Sequence, residues 1–138
     1  MQFLHLMIRV KNIEKSLVFF EVLGLKEVRR FDVAMGRFTL VYLKDNYNNC
    51  EIELTHNWDQ EDDYKVGNSF GHIAFSVRDI YETCHSFKKL GAIIALPPRD
   101  GSMAFIKSPD GVSIELLQKG GGLSPDPYWV KEPTIGTW

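Results

Sequence analysis

Between Phe3 and Val10 the chain alternates. Leu4, Leu6, Ile8 and Val10 fall on one side, and Phe3, His5, Met7 and Arg9 on the other. A period of two predicts a strand with one face in a core. At Asn12, a good N-cap, the period changes. Ile13, Leu17 and Phe20 recur at i, i+4 and i+7, which predicts a helix closed by Gly24 in a left-handed conformation. Strand-like runs follow, among them "RFTLVYLK" and "CEIELTHN".

The pattern then repeats. Ile73, Phe75 and Val77 oppose His72, Ala74 and Ser76, and Asp79 with Glu82 resembles a capping box. Ile80, Cys84 and Phe87 form the second helical stripe, ended by Gly91. "SMAFIKS" and "VSIELLQ" then predict a hairpin around Ser108-Pro109-Asp110-Gly111, where Pro sets φ and Gly permits a positive φ. A shift of 67 positions lays His5 on His72, Val10 on Val77, Ile13 on Ile80, Phe20 on Phe87, Leu23 on Leu90 and Gly24 on Gly91. Glu53 falls on Glu115 at a shift of 62. Matches in one ungapped register, ending on the same Ile-Glu-Leu tripeptide, identify a duplication.

The predicted fold is α+β, built of two βαβββ repeats over residues 1–57 and 69–118. A polar, acidic linker spans 58–68. Gly and Pro density predicts an irregular tail over 119–138, whose Tyr128, Trp129 and Trp138 can dock on a surface.

The repeat bears on four residues. In each Ile-Glu-Leu strand the Glu faces away from the Ile and Leu, as a solvated sheet face would also require. His5, however, shares its face with Phe3 and Met7, and His72 with Phe70 and Ala74, poor companions for open water. Two imidazoles and two carboxylates suit a hard-to-borderline divalent ion. A salt network uses the same residue types, so both readings stand at this level. His56 and His85 have no partner in the repeat and read as surface residues.

Composition removes other classes. The 138 residues carry a net charge of -2, with 44% hydrophobic and 25% charged residues, so a nucleic-acid partner is not indicated. No apolar run approaches the ~18 residues of a membrane span. The N-terminus has no basic leader, and Cys50 and Cys84 form no close pair, which makes cytoplasm the expected location.

The stretches "LHLMIRVKNIEKSLVFFEVLGLK", "EIELTHNW", "YKVGNSFGHIAFSV" and "AFIKSPDGVSIELLQ" resemble glyoxalase I, the lactoylglutathione lyase family of the vicinal oxygen chelate superfamily. The resemblance covers roughly residues 1–118. It implies half-barrel repeats, with His5, Glu53, His72 and Glu115 binding one divalent ion, nickel or cobalt ahead of zinc. It also implies a homodimer with shared active sites, in which His5 and Glu53 of one chain meet His72 and Glu115 of the other. The implied reaction isomerises the hemithioacetal of glutathione and methylglyoxal to S-lactoylglutathione, by proton transfer through a metal-bound enediolate. Glu115 would be the base, with Glu53 assisting or serving as ligand. Arg9, roughly 13 Å along the strand from His5, and Asn57 would hold the γ-glutamyl end of the glutathione co-substrate.

Departures accompany the resemblance. The family's Lys-Gly before the "AF" strand is replaced in "PPRDGSMAF", which leaves Arg99 as a substitute cation. Phe20 and His56 stand where relatives carry Tyr, and the tail lies outside the common pattern. Sister chemistries compete: epimerases, ring-cleaving dioxygenases and thiol transferases of the superfamily, and metal-free small-molecule-binding modules. Dioxygenases and transferases typically use three ligands, and the epimerases usually place Gln where Glu53 stands, so Glu53 favours the isomerase.

Overall fold

The computed structural model describes residues 1–47 and 50–138. They divide into two units, Met1–Lys65 and Val66–Trp138. No helix of the described residues is long and apolar enough to cross a membrane.

The first unit runs β1 (His5–Arg9), α1 (Ile13–Glu21), β2 (Lys26–Val33), β3 (Phe38–Lys44) and β4 (Glu51–Asn57). Its sheet has the order β1-β4-β3-β2, with β1 parallel to β4 and the other pairs antiparallel. Register places Ile8, Val41, Leu43, Ile52 and Leu54 on one face, where all are buried. Full burial of one such side chain is worth about 1.5–3 kcal/mol. At the start of α1, Asn12 accepts from the Lys15 amide at 2.9 Å, as an N-cap should. The buried side of α1 differs from the expected stripe. It comprises Ser16, Phe19 and Phe20, while Ile13 and Leu17 stay half-buried. Ser16 tolerates burial because its hydroxyl donates to the Asn12 carbonyl at 3.1 Å.

The second unit repeats the plan with β5 (His72–Val77), α2 (Ile80–Lys89), β6 (Ile94–Leu96), β7 (Met103–Lys107) and β8 (Ser113–Gln118). Sheet order β5-β8-β7-β6 and the parallel β5–β8 pair match the first unit. Here the expected stripe is the buried one, with Ile80, Cys84 and Phe87 inaccessible. The β7–β8 turn closes with the Gly111 amide donating to the Ser108 carbonyl at 2.9 Å and Gly111 at φ +81°. The largest difference in element length between the repeats lies in one strand. β2 has eight residues and β6 has three.

The tail is more ordered than its composition predicts. A short helix, α3 (Pro127–Lys131), starts at Asp126, whose carboxylate accepts from the Tyr128 amide at 2.7 Å. Trp129 is fully buried. Lys88 donates to the Tyr128 hydroxyl and to Glu132 at 2.9 Å. His85, expected on the surface, packs its ring 4.8 Å from that of Trp129. Farther on, the Ile135 amide donates to the Ala95 carbonyl at 2.9 Å, tying the tail to β6. The tail's aromatic residues allowed for docking, but its helix and its course were not legible locally, because the partners lie far back in the chain.

Burial pushes the Cys84 thiol up to about 12, whereas Cys50 is exposed. The native protein should therefore release one equivalent from a chromogenic disulfide reagent near pH 8, and two once unfolded. Two equivalents from the native state would contradict the buried position of Cys84.

Candidate metal centre

Each unit's helix covers one sheet face, and the chemistry gathers on the opposite one. In the first unit His5 pairs in register with Glu51, and Met7 with Glu53, so His5 lies one step diagonal to Glu53. The second unit copies this diagonal, with His72 opposite Ser113 and Ala74 opposite Glu115. The result is the same contact twice: His5 Nε2 stands 3.1 Å from Glu53 Oε2, and His72 Nε2 stands 3.1 Å from Glu115 Oε2.

Each pair also meets an aromatic ring. Tyr42 is opposite Glu53 and lies edge-on to His5, with centroids 5.8 Å apart. Phe105 is opposite Glu115 and lies edge-on to His72 at 5.3 Å. The sequence reading missed both rings, although an aromatic in the strand before each Ile-Glu-Leu strand marks them.

The two surroundings differ in polarity. Glu53 is buried, and the Thr55 hydroxyl donates to its Oε1 at 3.2 Å. The Tyr42 hydroxyl also bonds the Glu53 carboxylate, and that bond, with burial, raises the phenol above its ordinary range. Around Glu115 the equivalent positions are Leu117 and Phe105, neither with a hydroxyl. A plainly solvated sheet face is therefore the wrong description of Glu53.

Arg9, Thr55 and Asn57 extend the same face beyond Glu53, because Arg9 is the register partner of Thr55. Arg9 is exposed, and the Asn57 amide donates to the Tyr64 hydroxyl at 2.9 Å. His56 points the other way, with Nδ1 3.3 Å from the Val10 carbonyl oxygen. Arg99 is committed elsewhere. Its guanidinium donates to the Glu132 carbonyl at 3.1 and 2.8 Å and to the Thr134 hydroxyl at 2.9 Å. It holds the tail, which corrects the expectation that it stands in for a missing lysine.

The donor set fits a divalent ion in pairs. Neighbouring N and O ligands at bond lengths of about 2.1 Å and right angles stand roughly 3 Å apart, close to the 3.1 Å of each His–Glu pair. Among the described residues no group of three or more His, Cys, Asp or Glu gathers, so each unit presents half of the expected set.

Beside the first pair, Arg29 forms a two-pronged ion pair with Glu51, both contacts 2.5 Å, and covers the Tyr42 ring at 3.8 Å. The hydrogen bond from Arg29 holds the Glu51 carboxyl below its ordinary range, against a burial effect that would raise it.

Comparisons with known proteins bear on the family and the fold. The model of the Glyoxalase/Bleomycin resistance protein/Dioxygenase superfamily matches residues 2–116. A lactoylglutathione lyase of Neisseria meningitidis serogroup A is 46% identical over 130 residues, spanning 88% of this chain and 94% of the relative. A probable lactoylglutathione lyase of Synechocystis is 44% identical, spanning 83% and 93%. Among solved structures, the trypanothione-dependent glyoxalase I of Leishmania major superposes with a TM-score of 0.79 at 36% identity, covering 86% of this chain and 87% of that one.

The Arg29–Glu51 pair yields a pH signature. A carboxyl depressed by folding contributes stability above its unfolded pKa, about 4.3, and that contribution disappears as pH falls through the folded value. Arg29→Ala should therefore lower the urea midpoint relative to wild type at pH 6–7, with the gap narrowing below about pH 4. A gap independent of pH would refute the ion pair's contribution.

Proposed function

The chain belongs to the Glyoxalase/Bleomycin resistance protein/Dioxygenase superfamily and, within it, to the lactoylglutathione lyases, or glyoxalases I, and on that premise we propose that its two His–Glu pairs are the halves of one metal-dependent active site. The reaction is isomerisation of the glutathione–methylglyoxal hemithioacetal to S-lactoylglutathione. The observation that carries our reading of the site is the same His–Glu contact at the same diagonal in both half-barrel modules. His5 and Glu53 of one protomer would join His72 and Glu115 of its partner in a homodimer with shared sites. The divalent ion, nickel or cobalt ahead of zinc, would supply electrostatic stabilisation of the negative charge that develops on the substrate's neighbouring oxygens.

The chain's own residues then divide the work. The Glu115 carboxylate takes the proton from the carbon that bears sulfur and returns it to the adjacent carbonyl carbon. Its surroundings support that role over Glu53. The Glu53 carboxylate is fixed in place by hydrogen bonds from Tyr42 and Thr55, which suits a ligand. Glu115, flanked by Phe105 and Leu117, lacks those hydrogen bonds and is the freer to swing between ligand and proton carrier. Arg9 would hold the γ-glutamyl carboxylate through its planar fork, beside Asn57, whose amide is oriented by Tyr64. A thiol co-substrate and two unpaired cysteines suit a reducing compartment, so we assign the protein to the cytoplasm.

Metal-reconstituted protein given methylglyoxal and glutathione should turn over with nickel and cobalt, and less with zinc. Glu115→Gln should lower kcat by roughly 10²–10⁴-fold, the usual worth of a positioned base, while the ion remains bound. Full turnover by metal-loaded Glu115→Gln would remove the proton-transfer role. Glu53→Gln should instead weaken metal retention on dialysis; unchanged retention would argue against its ligand role.

A further inference from the structure

The inequality between β2 and β6 leaves the second unit short of a wall, and the tail supplies one. In the first unit β2 places Phe31 and Arg29 beside Tyr42, with Phe31 edge-on at 6.2 Å and the Arg29 guanidinium at 3.8 Å. The shorter β6 has no such residues to offer Phe105. Instead the tail passes alongside β6, fastened by Ile135 to Ala95 and by Arg99 to Glu132 and Thr134. It lays the Trp138 ring on Phe105, with centroids 5.6 Å apart and planes inclined by 24°. Phe105 is thereby covered, down to 4% exposure, between Trp138 and His72, while Trp138 itself remains 54% exposed.

We propose that Trp138 is a specificity-determining residue, whose open ring face is a platform for the aldehyde-derived substituent of the substrate. The platform lies on the sheet face that carries His72 and Glu115, one ring beyond His72. A flat apolar face favours a flat apolar substituent through offset stacking and burial. Aryl-substituted hemithioacetals gain from it, and a methyl group gains little. The fastening residues serve the same end, because Arg99 and Ala95 hold the tail in the course that brings Trp138 onto Phe105. This inference rests on the lyase reading for its substrate class and on the ring geometry for its location.

The test compares kcat/KM for the glutathione adducts of phenylglyoxal and methylglyoxal in the metal-loaded full chain. Trp138→Ala should lower the phenyl-to-methyl ratio about fivefold, the order expected of one aromatic contact, with metal content unchanged. Trp138→Phe, which keeps a ring, should stay within about twofold of wild type. A ratio that is unchanged or rises in Trp138→Ala overturns the platform.

A second readout does not depend on turnover. Added cobalt(II) should quench more tryptophan emission in wild type than in Trp138→Phe, since Trp138 is the tryptophan beside the His72 ring system. Equal quenching overturns its placement. A wild-type chain that converts neither adduct, yet keeps the quenching difference, refutes the lyase reading while supporting the position of Trp138.

Discussion

Everything the site can do depends on parallel pairing of the first and last strands of each repeat. That pairing sets His5 diagonal to Glu53 and His72 diagonal to Glu115, and it brings Nε2 and Oε2 to 3.1 Å in both units. Side chains alternate with a period of two, so a slip of β4 by one residue would bury the Glu53 carboxylate against Ile8 and Val41 and turn Leu54 out to water. The apolar face therefore enforces the polar one. Neighbours such as Ile52 and Leu54 hold Glu53 in register, and Ile114 and Leu116 do the same for Glu115.

Duplication alone would yield two equal half-sites, and chemistry needs them unequal. The difference arises at second neighbours. Tyr42 and Thr55 give the Glu53 carboxylate hydrogen bonds, while Phe105 and Leu117 give Glu115 apolar surroundings. Hydrogen bonds fix one carboxylate and leave the other free to move, so one residue type acquires two characters. The same inequality extends outward, where β2 flanks Tyr42 and the tail flanks Phe105.

Alternation and repetition made both repeats legible before any coordinates. The period change at Asn12 and Asp79, the glycines after each helix and the Ser-Pro-Asp-Gly turn are local signals, and each appears at its place. The coincidence of His and Glu within the repeat likewise drew attention to the residues that pair. Features set by distant contacts were less legible. Ser16 replaced Leu17 on the buried side of α1 because a hydroxyl bonded to Asn12 can be buried. Arg99 joined the tail because the Glu132 carbonyl oxygen, 33 residues later, and the Thr134 hydroxyl accept from its fork.

The sequence by itself determined the repeat, the strand faces and the four residues that alternation turns away from the core. These follow from periodicity, which needs no knowledge of what lies across the sheet. Tertiary structure decided how those residues are used: which hydroxyls tie down Glu53, which rings surround Glu115, and where an apparently irregular tail places Trp138. Such contacts join residues far apart in the chain, and their energies come from mutual burial and hydrogen bonding that no local pattern encodes.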